Sequence, residues 1–205
     1  MDSESPTIET KTESTLEIDL KDPRLAAFLA WLIPGLGHIY QGRTGKGILF
    51  FACIVGTFVF GLVIGKGKVV YASDVSPASR EFYQRWQYIC QVGAGLPALP
   101  AYVQAWRVRQ GKPPLGGYEN SYMRPPRMEP NAFGSFTTED PAGNIVEHPN
   151  ELAKWYYDLG DMFELGTVFT VIAGLLNVLA IYDAHGGPLV IVPRENKKPD
   201  DGVKT

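Results

Sequence analysis

The chain has 205 residues, 45% of them hydrophobic, and its 19 basic and 22 acidic side chains leave a net charge of −3. That length suits one domain or a small helical bundle with tails, and the mild acidity, with no basic stripe carrying interleaved aromatics, argues against a nucleic-acid surface. The only cysteines, Cys53 and Cys90, sit in apolar stretches as small hydrophobes and form neither a disulfide framework nor a metal knuckle.

Residues 1–20 are acidic, hydroxyl-rich and without a packing period, which predicts a disordered acidic tail. The long acidic lead does not resemble a cleaved signal peptide. Asp22-Pro23 then has the form of a helix start, with Asp as cap and Pro at the first helical position.

A membrane region is expected over 21–110, with segments at 25–42, 47–65 and 86–106, and a last segment at 165–182. These four windows hold no Asp, Glu, Lys or Arg, although such residues make up 20% of the chain. Segregation of that kind, over lengths that span roughly 30 Å as helix, is a membrane signature. The first window is interrupted by Pro34-Gly35-Leu36-Gly37, which predicts a kink or a stop near Ile33. Gly42 to Gly47, GRTGKG, makes a compact turn whose two basic side chains can reach phosphate head groups at the membrane interface. It lacks the GxxxxGK[ST] form of a phosphate loop. In the second window Ala52 and Gly56, then Gly61 and Gly65, are spaced by four, a small-residue edge that permits close helix packing.

Residues 66–85 are expected as an exposed loop with a short strand at 68–72. The third window carries aromatics at both edges but is broken by Pro97 and Pro100, so it reads as a kinked crossing with a re-entrant segment as the alternative. A Pro/Gly-rich linker occupies 111–149. The region 150–190 combines an amphipathic helix, capped at Asn150 and with Trp155, Tyr156 and Tyr157 at its surface, with the last segment. In that segment Gly166, Thr170, Gly174 and Asn177 form one face that should meet protein. Residues 191–205 read as a polar tail. The expected fold class is thus all-α, a multi-pass transmembrane protein of about four segments beginning with a helical hairpin. The Lys/Arg bias favours cytoplasmic termini.

The candidate kink or polar residues are Pro34, Gly35, Gly37, His38, Arg43, Asn177, Asp183 and His185, with Glu164 at the near end of the last helix. His38 is read as tying the kinked backbone or reaching the interface, and Asp183 and His185 as ending a helix. They are too scattered in sequence to form a metal site. No catalytic residue, cofactor or metal ligand is expected, since GxSxG, HExxH and CxxC patterns are absent from the sequence.

LAAFLAWLIPGLGHIYQGRTGKGILFF resembles the core of a family of uncharacterised bacterial membrane proteins, domain of unknown function 6677, found chiefly in planctomycetes. CQVGAGLPALPA resembles that family's middle segment and ELGTVFTVIAGLLNVLAIYDAHGGP its C-terminal one, so the likeness covers roughly 25–110 and 160–190. More loosely, Gly35-Leu36-Gly37 and Tyr40-Gln41-Gly42-Arg43 are similar to a motif of two-transmembrane-helix domains. The resemblance implies a multi-pass inner-membrane protein and brings no catalytic residues. The expected function is a structural or assembly scaffold, with a transporter or channel subunit as the alternative and a membrane enzyme third. Its expected partners are membrane lipids, and a second copy or other membrane proteins through the small-residue faces.

Overall fold

Residues 21–72, 86–127 and 136–187 are described by the structure, a computed structural model. The expected tails at 1–20 and 191–205, and the greater part of the loop before Trp86, lie outside the described residues.

Helix α1 (Pro23–Leu32) starts as its sequence dictates: the Asp22 carboxylate accepts from the Arg24 N–H and Pro occupies the first turn. It ends at the Pro34 break. Gly35 then takes φ 84°, a left-handed conformation open to glycine at no steric cost, and α2 (Leu36–Tyr40) follows. The long α3 (Thr44–Ile64) leads to a loop at 65–72 in which Val69, Val70, Tyr71 and Ala72 are buried. The segment is a loop, as expected, but a buried one, and the short strand expected at 68–72 does not form.

The third window is two short helices, α4 (Trp86–Val92) and α5 (Leu99–Arg109), separated by a turn and a single 3-10 turn at Leu96–Ala98. After it, β1 (Phe136–Glu139) and β2 (Ile145–His148) pair antiparallel, with Phe136 opposite His148 and Glu139 opposite Ile145. The amphipathic helix is α6 (Glu151–Leu159), and Asn150 caps it through the Ala153 N–H as expected. Trp155 is buried rather than superficial. The last helix, α7 (Asp161–Gly186), is the longest, and α1, α3 and α4 all pack on it.

Two features overturn the four-crossing expectation. The first and third windows are cut into helices of ten, five, seven and eleven residues, and at 1.5 Å per residue the longest of these reaches about 17 Å, well short of a hydrocarbon core of about 30 Å. Among the described residues only α3 and α7 are long and apolar enough to cross, by length and composition alone. The second feature is charge inside the fold. Arg124 and Glu151 are buried together at 5% and 4% exposure, so charge is not confined outside the apolar core as the windows implied. The multi-pass transmembrane class, the inner-membrane location with cytoplasmic termini, the lipid partners and the membrane scaffold or transporter functions built on four crossings are corrected accordingly. The described residues form a compact, mostly helical fold with a small hairpin, buried polar contacts and large apolar side chains such as Leu49, Val63 and Leu179 on its outer faces.

The small-residue spacings divide into two classes. Gly61 and Gly65 lie where α3 meets Gly166 of α7, and a Cβ on Gly61 would stand 2.7 Å from the Gly166 carbonyl oxygen and 2.8 Å from the Phe169 Cβ. Gly56 faces open space, so the Ala52–Gly56 edge packs on nothing within the described residues. Gly61→Ala is therefore expected to cost about 1–3 kcal/mol through overpacking, and Gly56→Ala to gain about 0.5–1 kcal/mol from helix propensity. Chemical denaturation of the two variants beside the parent chain checks the opposite signs.

Candidate functional site

Three helix ends meet where α2 stops, α3 starts and α7 stops, and the sequence gathers its polar groups there. The break at Pro34-Gly35 turns α2 so that His38, one of its five residues, points inward and is fully buried. One turn before the end of α7, Asp183 faces it, and His38 Nε2 lies 2.7 Å from Asp183 Oδ2. Two cations from the tight turn converge on the same oxygen: Lys46 Nζ at 2.6 Å and Arg43 Nη2 at 3.3 Å. Gln41 adds a hydrogen bond from its amide nitrogen to the Ala184 carbonyl, an otherwise orphaned acceptor in the last turn of α7.

Burial pushes the His38 pKa down, against the hydrogen bond and charge of Asp183, which push it up. The imidazole is accordingly neutral at pH 7 and donates its Nε2–H to Asp183. Its Nδ1 is then a lone pair, buried and without a partner, in a ring that stands edge-on to Phe50 at 4.8 Å. Partial burial works against ionisation of Asp183, but hydrogen bonds from Lys46 and His38 and the charges of Arg43 and Lys46 outweigh it and hold the carboxyl below its ordinary range. Arg43 and Lys46 thus bring two positive charges to one carboxylate. Arg43 Nη1 is buried with no hydrogen-bond partner.

The structure places the sequence candidates unevenly. His38 and Arg43 come together with Asp183, 145 and 140 residues further along the chain, while Pro34, Gly35 and Gly37 supply the bend that delivers His38. Gly37 lies against the Ala26 carbonyl. Asn177 is elsewhere, fully buried in the core, where its Nδ2 donates to Ala30 O at 3.1 Å and to Gly93 O at 2.9 Å. His185 is exposed and outside the cluster. His38 does not reach out to the surface as its position near the turn had implied, because Asp183 holds it from inside. No group of three metal-ligating side chains occurs among the described residues.

A second charged cluster was not read from the sequence. Glu151, at the first turn of α6, takes a forked pair of hydrogen bonds from Arg124 Nη1 and Nη2 at 2.7 and 2.6 Å, and further bonds from the Arg127 side chain and backbone N–H. Burial raises the Glu151 pKa, but the bonds from Arg124 and Arg127 prevail and bring it down to about 2. Arg124 also stacks over Trp155 at 5.1 Å. This cluster is closed and pins the 118–127 segment to α6. Its sequence signal is faint, two arginines three apart in a proline-rich stretch and an acid behind a helix cap.

A family model described as a family of unknown function, DUF6677, matches residues 25–197. The chain belongs to that family. No curated protein and no solved structure matches it.

Each cluster carries its own pH signature. The unfolded chain takes up a proton on His38 near pH 6.5, whereas the folded chain resists protonation, so stability falls as pH drops below that value and levels off beneath the lowered folded pKa. His38→Asn should flatten this slope in thermal melts between neutral and mildly acid pH. Glu151 acts lower. Its stabilisation is complete above its ordinary value of 4.5 and is lost as pH falls from there towards about 2. Glu151→Gln should cost about 3–5 kcal/mol at pH 7, because it removes the charge that compensates the buried Arg124 guanidinium, and should remove that acid limb from the urea-unfolding free energy.

Proposed function

We propose that this chain is a binding protein rather than a catalyst, and that the corner formed by Arg43, Lys46 and Asp183 takes an anionic group, a phosphate or a carboxylate, from its ligand. The observation that carries the reading is the Arg43 guanidinium. Nη2 is committed to Asp183 and Nη1 is buried, but the side chain as a whole stays 23% exposed, so its positive charge faces the surface beside Lys46. A guanidinium presents paired N–H groups that suit planar carboxylate and phosphate oxygens. Lys46 lies beside it, about one-third exposed, in the first turn of α3, where backbone N–H groups favour negative charge. The excess of one positive charge over Asp183 sets the sign of the ligand.

The same geometry speaks against general-base chemistry. A His–Asp pair would need its free nitrogen open to a substrate, and His38 Nδ1 is enclosed in a fully buried ring against Phe50. The dyad serves to orient Asp183.

Titration of the full chain with inorganic phosphate, followed by calorimetry, tests the reading. Binding should weaken as salt rises, and Arg43→Gln and Lys46→Gln should each lower affinity by about tenfold. Phosphate and acetate that both fail to bind, or that bind equally to the parent and to Arg43→Gln, would remove this site from consideration.

A further inference from the structure

A groove of about 400 Å³ opens between α4, α6 and α7. That volume falls within the range of small-molecule sites. Its floor is apolar, from Val168, Val171 and Ile172 of α7, and Trp86 and Tyr156 line it with aromatic rings, both of them about half exposed.

The groove's one charged group is an acid, beside neutral polar side chains. Glu164 contributes a carboxylate, which only accepts. Gln87 lines the groove, and its Oε1 is buried with no partner. The Thr167 hydroxyl spends its hydrogen on the Phe163 carbonyl at 2.8 Å, which leaves its lone pairs as the remaining hydrogen-bonding capacity. None of the described lining residues is Lys or Arg. A cavity with two aromatic side chains, one negative charge and no cation among its described lining residues is complementary to a cation that carries apolar surface, the Gln87 amide and the Tyr156 hydroxyl adding only neutral donors. Ring faces attract ammonium groups, most strongly when water is partly excluded.

We propose that this groove binds an organic ammonium ion, with the charged head between Trp86, Tyr156 and Glu164 and the apolar body on Val168, Val171 and Ile172. The site is independent of the anion corner, which lies at the opposite end of α7 and shares no residue with it.

Choline and its uncharged isostere 3,3-dimethyl-1-butanol, each titrated into the full chain and followed by calorimetry, provide the test. Choline should bind at least tenfold more tightly than the isostere, and Glu164→Gln and Trp86→Leu should each reduce choline affinity by about tenfold. Glu164 is exposed at the start of α7, so its variant reports on binding even if Trp86→Leu fails to fold. No choline binding, equal binding of the isostere, or an unchanged affinity in Glu164→Gln would each overturn the proposal. Loss of phosphate binding in Arg43→Gln with choline binding intact would show the two sites to be separate.

Discussion

One face of α7 sets the geometry of everything packed against it. Gly166, Thr170, Gly174 and Asn177 recur at helical spacing and are all buried, and between them they receive α1, α3 and α4. Gly166 admits α3 at Gly61 and Gly65, and Gly174 lies against the carbonyl of Cys90 in α4. Thr170 receives a hydrogen bond from Gln91 Nε2 at 2.9 Å. Asn177 reaches the end of α1. Small side chains let backbones approach closely enough for dispersion and polar contacts to act together. A large residue at any of these positions would move an entire helix, because packed interiors do not deform continuously.

The breaks in the first and third windows follow from the same face. A helix that stops leaves its last carbonyls without donors, and buried carbonyls need partners. Ala30 O, in the last turn of α1, and Gly93 O, just past α4, both accept from Asn177 Nδ2. Val92 O accepts from Trp31 Nε1 at 3.3 Å. The two broken ends therefore lie against each other and share their donors. Gln91 Nε2 similarly serves Val69 O in the buried loop after α3. The interruptions are tolerated because two side chains, Asn177 and Trp31, replace missing helical hydrogen bonds.

The sequence carried what depends on neighbours close in the chain. The Asp22 and Asn150 caps, the stop before Pro34, the long apolar helices and the inward face from Gly166 to Asn177 were legible because capping and helical periodicity act over a few residues. Charge-free length was a poorer guide. It treated 86–106 as one span, whereas the turn at Gly93 to Gly95 makes two short helices of it, satisfied by side chains that no local pattern could assign. Partnerships over 24 to 27 residues, as between Glu151 and the two arginines, or over 145 residues, as between His38 and Asp183, have no periodic signature. His38 and Asp183 were each singled out by type and position, but their meeting required the bend at Gly35 and the full length of α7.

The two charged clusters differ in one respect that decides what each can do. Around Glu151 the carboxylate is almost wholly buried, both oxygens are engaged, and its forked bonds with Arg124 leave that geometry closed. Its energy is spent on holding α6 to the preceding segment. Around Asp183 the carboxylate is 39% exposed, three donors crowd a single oxygen, and one guanidinium nitrogen has no acceptor at all. Exposure lowers the worth of that cluster to stability, since water screens exposed pairs, yet the same exposure leaves its surplus positive charge open to a second anion. The closed cluster is a fastening, and the open one has both the charge and the access that binding requires.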